Sequence, residues 1–226
     1  MNRLILWFAK LTGWPIEYFF YRKKIYYEDK SVQRRKIKGG ALVVSNHYSV
    51  YDYPLIMFTF FRRSIRPLVA EVIFEKNRFM NRFMTHLGAI RVDRDTYDFS
   101  FMSNMVKCLE DKQVGLVFPE SRIGEESEKL DGMLEFKPSF VYMALEANVP
   151  IIPVYVNGVY GKDKKKKHDR ARIIIGKPIR LDELYDTNKS EKENIEFLCN
   201  YVREYIKNLG KILKEQIEKK NNEEER

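Results

Sequence analysis

The chain has 226 residues and a mass of 27.1 kDa, which allows one domain with a substantial core or two small domains. Hydrophobic residues make up 44% and charged residues 32%, a composition that excludes an intrinsically disordered chain. Lys and Arg number 41 against 32 Asp and Glu, so the formal net charge of +9 favours anionic partners such as phospholipid headgroups, phosphorylated substrates, acidic carrier proteins or nucleic acid.

Two apolar, aromatic-rich stretches, 4–11 and 16–27, predict an N-terminal helical hairpin. Glycine and proline at positions 13 and 15 favour a turn between them. Tryptophan and tyrosine settle at membrane–water interfaces, and basic clusters follow at 22–24 and 34–38. Apolar residues beside cations are typical of a segment that rests on an anionic membrane, where each well-placed cation contributes about 1 kcal/mol. A hairpin that caps the core, with its charges solvated, is the alternative.

From residue 38 onward, short apolar strands alternate with helical stretches. Several strands lack the polar–apolar alternation of a half-exposed sheet, which indicates burial on both faces. The predicted strands are 41–45, 65–70, 89–93, 114–118, 151–156 and 172–175, and the predicted helices are 55–61, 77–86, 99–111 and 136–148. This order predicts an α/β fold, a single layered domain with a central mixed, largely parallel sheet flanked by helices.

Beyond residue 181 the chain is predicted to end in a long helix. Its apolar residues recur at alternating spacings of four and three: Leu198, Val202, Tyr205, Leu209 and Ile212. We expect this stripe to pack on the domain, with a short coiled coil as the alternative. The chain therefore divides into a two-helix membrane-contact segment (1–38), an α/β core (39–185) and a C-terminal helix with a charged tail (186–226). The lysine run at 164–167 is predicted to be a solvated loop, with a lipid or carrier contact as the alternative.

The cysteines, Cys108 and Cys199, and the histidines, His47, His86 and His168, are scattered along the chain. Such spacing fits neither a disulfide framework nor a zinc site, so we expect a reducing compartment, no metal and no cofactor. A membrane span needs ~20 consecutive apolar residues, and no run approaches that length. Because no small-residue cleavage site follows the opening apolar run, we expect no signal peptide and a protein kept inside the cell.

The first candidate functional segment follows strand 41–45 and contains His47 and Asp52, five positions apart. On one continuous helix that spacing is a rotation of about 140°, so the two side chains would not share a face. They can meet if His47 lies on the strand-exit loop and Asp52 begins the next helix as its N-cap, with Pro54 in the first turn. A carboxylate that fixes the imidazole tautomer suits the deprotonation of a hydroxyl. A core histidine beside an ordinary helix cap is the alternative.

Three further segments place charged residues or prolines at strand ends. Residues 88–94 end in Arg94, residues 118–122 combine Glu120 with Arg122, and prolines bracket the strand at 149–154. Ligands of α/β sheets bind at the carboxyl ends of the strands, so these loops are predicted to converge with His47. The alternative is that the charged residues form salt bridges at strand edges and that the prolines only mark turns.

These segments together resemble the glycerolipid (lysophospholipid) acyltransferase family, in particular the bacterial 1-acylglycerol-3-phosphate acyltransferases. The patterns N-H-x-x-x-x-D, G-x-x-x-x-x-R, F-P-E-x-R and V-P-I-I-P-V occur in the family's order between residues 46 and 154. The N-terminal segment also resembles the family's membrane anchor.

The resemblance implies that His47, held by Asp52, is the general base that deprotonates the free hydroxyl of lysophosphatidate. That oxygen would attack the thioester of an acyl-CoA or acyl carrier protein and give phosphatidate without a covalent acyl-enzyme. Acceptor binding would fall to Arg94, Glu120 and Arg122, with Ser121 beside the phosphate and Lys137 as a candidate oxyanion group. The implied partners are the thioester donor, a lysophospholipid and an anionic membrane at the cytoplasmic face of the cell membrane, with no nucleic acid.

The chain departs from the family pattern at three places. The commoner third block of the family is F-P-E-G-T-R, and Ser121 stands here in place of its glycine. Glu71 stands where many members carry a lysine, and Ser139 replaces the glycine of an F-K-x-G block. These departures leave another lysophospholipid, such as a lyso-aminophospholipid, as an alternative acceptor. A non-catalytic basic protein that coats membrane or nucleic acid is the alternative from another functional class.

Overall fold

The computed structural model describes residues 3–93, 98–125, 132–158 and 171–224. Its helices are α1 (Arg3–Tyr21), α2 (Asp52–Thr59), α3 (Glu71–Glu75), α4 (Arg78–Leu87), α5 (Ser100–Glu110), α6 (Ser139–Glu146) and α7 (Glu191–Glu224), and a 3-10 helix covers Asp182–Leu184. Its strands are β1 (Lys24–Tyr27), β2 (Ala41–Ser45), β3 (Ile65–Ala70), β4 (Ile90–Val92), β5 (Val114–Val117), β6 (Ile151–Asn157) and β7 (Arg172–Ile175). The strands form one sheet in the order β1-β7-β6-β2-β5-β3-β4.

The sheet is mixed and largely parallel, which confirms the predicted α/β fold. Strands β6, β2, β5, β3 and β4 run in one direction, whereas β7 is antiparallel to β6, and β1 is parallel to β7. All five residues of β2 are buried. Leu42 and Val44 face the core built with α5, α6 and α7, and Ala41 and Val43 face the core built with α2. This burial on both faces explains the absence of alternation in the strand sequences.

The predicted N-terminal hairpin is wrong, because α1 is a single helix that continues through Gly13 and Pro15. A Cβ on Gly13 would stand 2.9 Å from Cζ of Phe58, so this glycine allows α1 to approach α2 closely and does not form a turn. Pro15 removes one backbone hydrogen bond, and the packing of α1 on α2 and α4 compensates for that loss. Residues 24–27 form β1, because the edge of β7 supplies their backbone partners.

Two buried side chains fix α1 to the rest of the domain. Leu6 packs in an apolar cluster with Met57 and Leu87. The Lys10 ammonium donates to the backbone carbonyls of Phe61 and Arg63 at 2.7 and 2.6 Å. Burial lowers the pKa of Lys10 to about 8. Through Leu6 and Lys10, α1 is docked on the domain. No helix in the described ranges has the length and apolarity to cross a membrane.

The C-terminal helix α7 packs on the sheet as predicted. It contacts β6 and β7, and Leu198, Val202 and Leu209 of the predicted stripe are buried. Toward its end the buried position belongs to Leu213, one residue beyond the predicted Ile212, and α7 continues through the charged tail to Glu224. The division of the chain at residues 38 and 185 stays a prediction.

Candidate active site

The carboxyl ends of β6, β2 and β5 lie side by side at one edge of the sheet. The Asn46 side chain joins two of them, because its Nδ2 donates to the carbonyl of Val156 at 3.0 Å and its Oδ1 accepts from the Val156 N–H at 2.8 Å. Asn46 is buried, so this reciprocal pair satisfies its amide away from water. The chain therefore leaves β2 along a fixed path that leads directly to His47.

His47 and Asp52 meet as their spacing predicts. His47 lies on the loop after β2, and Asp52 is the first residue of α2. The distance from His47 Nδ1 to Asp52 Oδ2 is 2.9 Å, and the same oxygen accepts from the N–H groups of Tyr48 and Ser49 at 2.7 and 2.8 Å. The predicted N-cap role is wrong by one residue, since Tyr51 occupies the N-cap and the Asp52 carboxylate turns back to the loop. The Asp52 carboxylate therefore holds the loop in shape and also orients the His47 imidazole.

The chemistry of the pair follows from this geometry. An ionised carboxylate can only accept hydrogen bonds, so Nδ1 of His47 is assigned as the donor of this contact, and in the neutral imidazole Nε2 then carries the lone pair. Asp52 is fully buried, whereas the His47 side chain keeps 20% of its surface exposed. An accessible imidazole nitrogen held by a buried carboxylate can take a proton from a hydroxyl placed against it.

Two residues of the segment after β5 complete the support of His47. The Phe118 ring stacks on the imidazole with centroids 4.4 Å apart and an interplanar angle of 18°. The buried Glu120 carboxylate accepts from the His47 N–H at 2.7 Å through Oε1 and from the Leu134 N–H at 2.8 Å through Oε2. Asn46, Phe118 and the backbone role of Glu120 were missed by the sequence prediction, although Asn46 and Phe118 stand within the motifs that it used.

Comparison with known protein families identifies the family of this chain. The sequence model described as Acyltransferase matches residues 24–157, more than half of the chain, and this range contains His47, Asp52 and Glu120. The chain belongs to the acyltransferase family.

Individual relatives of this acyltransferase are distant. The 1-acyl-sn-glycerol-3-phosphate acyltransferase of Haemophilus influenzae is 24% identical over 220 residues, which cover 95% of this chain and 83% of that protein. The human 1-acyl-sn-glycerol-3-phosphate acyltransferase beta is 22% identical over 168 residues, 73% of this chain and 59% of that protein. The crystal structure of the 1-acyl-sn-glycerophosphate (LPA) acyltransferase PlsC from Thermotoga maritima matches with a TM-score of 0.66 at 20% identity, over 92% of this chain and 79% of that chain. This last likeness shows a shared fold.

Two of the remaining predicted site residues, Arg122 and Lys137, have backbone hydrogen bonds to the Glu120 loop. Arg122 and Lys137 are exposed, and the Lys137 N–H donates to the Pro119 carbonyl at 3.0 Å, which brings its backbone beside the Glu120 loop. Arg94 lies outside the described residues, as does the lysine run at 164–167. Glu71, which stands where a lysine is common in the family, pairs with Arg91 at 2.8 Å.

Neither cysteine is placed as a nucleophile for this acyltransferase. Cys108 and Cys199 are both buried free thiols. Burial raises the pKa of Cys108, and burial with Glu135 nearby raises the pKa of Cys199 to about 11. Both thiols therefore stay protonated at neutral pH. Among the described residues, no group of three or more His, Cys, Asp or Glu side chains is arranged to hold a metal ion.

Replacing Glu120 with glutamine tests whether its carboxylate positions His47. The amide NH₂ would face one of the two backbone N–H groups, so one hydrogen bond to a charged acceptor is lost. We expect a loss of about 1–3 kcal/mol in the free energy of unfolding and a fall of about 10–100-fold in kcat. Chemical denaturation and steady-state kinetics measure the two effects.

The matched control for this variant is Glu135→Gln, an exposed glutamate of the neighbouring segment, which should change neither quantity. A positioning role lowers kcat and leaves the KM for the acceptor near its original value. A raised KM with unchanged kcat would instead show that Glu120 binds the acceptor directly, and wild-type stability and kinetics would contradict the role altogether.

Ser121 adopts a left-handed backbone conformation, with φ of +63°. Glycine is the residue that this conformation favours, because a Cβ costs about 1–2 kcal/mol there. We expect Ser121→Gly to raise the free energy of unfolding by up to about 1 kcal/mol, after the extra backbone entropy of glycine is subtracted. Thermal or chemical denaturation measures the change. Ser121→Ala keeps the strain and should give no gain, whereas a glycine variant less stable than the alanine variant would contradict the explanation.

Proposed function

We propose that this enzyme transfers a fatty acyl group from a thioester donor to the free hydroxyl of lysophosphatidate and so makes phosphatidate, with His47 as the general base and Asp52 as its partner. The observation that carries the proposal is the 2.9 Å contact between His47 Nδ1 and Asp52 Oδ2 at the carboxyl edge of the sheet of an acyltransferase-family chain. The choice of acceptor is supported by the relatives from Haemophilus influenzae and human, which are named for acylation of 1-acyl-sn-glycerol-3-phosphate.

In the proposed reaction, Nε2 of His47 takes the proton of the acceptor hydroxyl as the hydroxyl oxygen bonds to the thioester carbonyl carbon. The tetrahedral intermediate then collapses and the carbon–sulfur bond breaks. The imidazolium gives its proton to the leaving thiolate, so the products are a new ester and a free thiol. The Asp52 carboxylate remains ionised and stabilises the imidazolium in between. General-base assistance of this kind contributes about 10²–10⁴-fold to the rate.

The acceptor phosphate is proposed to lie among Arg94, Arg122 and Lys137, with Ser121 beside it. Arginine supports this assignment, because its planar guanidinium matches two phosphate oxygens at once. Arg122 and Lys137 are exposed on segments that the Glu120 loop brings next to His47. For Glu120, the two backbone hydrogen bonds support a role in holding the His47 loop.

Membrane contact is proposed through α1. The face of α1 turned away from α2 and α4 carries large apolar side chains, and Leu4, Phe8, Leu11 and Tyr18 are each more than half exposed. Their spacing of four, three and seven places them on one stripe of the helix. A stripe of this composition beside cations suits an anionic membrane surface. We propose peripheral association with the cytoplasmic face of the cell membrane, where acyl-CoA or acyl carrier protein would supply the acyl group.

An acceptor and donor panel tests the proposed function. Purified protein would be incubated with a labelled acyl-CoA or a labelled acyl carrier protein, and with lysophosphatidate, lysophosphatidylethanolamine or glycerol 3-phosphate. We expect thioester consumption that depends on lysophosphatidate and yields labelled phosphatidate. Faster acylation of lysophosphatidylethanolamine would reassign the acceptor. Absence of thioester consumption with every acceptor and both donors would contradict the enzymatic function and favour a non-catalytic membrane coat.

A further inference from the structure

A large groove lies apart from the His47–Asp52 site. It has a volume of about 1370 Å³ and runs between α1, β1, the segment that follows β1 and the end of α2. Neither His47 nor Asp52 lines it. Its size suits an organic ligand larger than a single ion.

The charges around the groove are strongly one-sided. Seven cationic side chains line it, and among the described residues Glu17 is the one acidic side chain that does so. The cationic residues are Arg22, Lys23, Lys24, Arg34, Arg35, Lys36 and Arg62. Glu17 is itself buried and pairs with Lys23 at 2.7 Å. The groove therefore carries a large excess of positive charge that its own acid does not balance.

Two of these cations are held close to each other by the fold. Arg35 donates to the carbonyls of Thr59 and Phe58 at 2.7 and 3.3 Å, which fixes its guanidinium against the end of α2. Burial, with Arg35 nearby, lowers the pKa of Lys23 in spite of its partner Glu17. The guanidinium of Arg35 is thus a positive charge fixed at the groove by backbone carbonyls, and it attracts an anion bound there.

Other cations of the groove are available for a ligand. Within the described residues, the side chains of Lys24, Lys36 and Arg62 have no hydrogen bond or ion pair. Arg22, Lys36 and Arg62 are also exposed. They can therefore turn toward a bound anion without giving up an interaction with any residue that the structure describes.

Part of the groove lining is apolar or aromatic and belongs to the proposed membrane-facing helix α1. Leu11, Trp14 and Tyr18 of α1 line the groove, and the rings of Trp14 and Tyr18 are 5.8 Å apart. Leu11 and Tyr18 also belong to the exposed apolar stripe of α1. The groove thus joins a cationic wall to the part of α1 that would touch acyl chains, which matches the two halves of an anionic phospholipid.

We propose that this groove binds one anionic phospholipid of the bilayer, with the phosphate against the cationic wall and the acyl chains along α1, as a lipid site separate from the catalytic one. The inference rests on the proposed membrane contact of α1. A bound lipid would fix the orientation of α1 on the membrane and would also hold α1 at the membrane surface.

Binding of a short-chain lipid to a single-tryptophan protein tests this site. The chain has two tryptophans, so in a Trp7→Phe background Trp14 alone reports from the groove. The probes are monomeric dihexanoyl phosphatidylglycerol, which is not a product of lysophosphatidate acylation, dihexanoyl phosphatidylcholine and coenzyme A. We expect saturable binding of the phosphatidylglycerol with a change in Trp14 fluorescence. The variant Lys24→Gln/Lys36→Gln/Arg62→Gln should weaken it by about 100-fold, since each cation contributes about fivefold.

The matched control removes the same charge from α7, on the other face of the sheet, as Lys192→Gln/Lys211→Gln/Lys214→Gln. These three lysines are exposed, and their loss should leave the affinity unchanged. Equal weakening in the two triple variants would show general attraction to charge and overturn the proposal. Equal affinity for the phosphatidylcholine, or tighter binding of coenzyme A at Trp14, would also overturn it. The readout does not use acyl transfer, so a failed acyltransferase assay and a failed lipid site remain distinguishable.

Discussion

Replacing Asp52 with asparagine is expected to lower kcat for acyl transfer by about 10²–10⁴-fold while the protein remains folded. The asparagine oxygen can still accept from the N–H groups of Tyr48 and Ser49, so the loop keeps its shape. The negative charge beside the imidazole is lost, so the imidazolium that forms in the proposed mechanism is no longer stabilised by a carboxylate. Steady-state kinetics with lysophosphatidate and acyl-CoA measure the effect.

The stability of this variant should fall only moderately, so that the protein stays folded. Asp52 Oδ1 is buried and has no hydrogen-bond partner within the described part of the chain, so an amide NH₂ placed there costs about 1–3 kcal/mol. Asp111→Asn, at an exposed position that ends α5, is the matched control and should leave both quantities unchanged. An Asp52→Asn enzyme with near-normal kcat would contradict the role of the carboxylate.

Much of the core was predictable from the sequence because its strands are buried on both faces. The predicted strands 41–45 and 114–118 match β2 and β5 to within one residue, and every residue of these two strands is buried. The prediction failed where one residue type serves two purposes. Glycine and proline usually mark a turn, which is why Gly13 and Pro15 predicted one. Gly13 instead lies where α1 contacts Phe58, and a larger side chain would not fit there. A sequence alone does not show which helix a glycine will contact. The strand β1 was missed for a similar reason, since its partner β7 lies almost 150 residues further along the chain, from Lys24 to Arg172.

The candidate site was also predictable only in part. The meeting of His47 and Asp52 follows from local geometry, because both lie on one short connection between β2 and α2. The contributions of Asn46, Phe118 and Glu120 depend on the order of strands in the sheet, which places β6 and β5 on either side of β2. Val156, the partner of Asn46, is 110 positions away, and Glu120 is 73 positions from His47. Residue types and spacing could mark these three positions as candidate site residues. The order of strands in the sheet was needed to show which atoms their side chains contact.

The most direct test of His47 as the general base is acyl transfer by the wild type and His47→Ala, side by side. Alanine removes the proposed general base and leaves Asp52 bonded to the N–H groups of Tyr48 and Ser49. Circular dichroism and vesicle cosedimentation would show that folding and membrane binding persist. With a labelled acyl donor and lysophosphatidate, we predict labelled phosphatidate from the wild type and none above background from the variant. Labelled phosphatidate formed by a folded, membrane-bound His47→Ala protein at the wild-type rate would contradict the mechanism.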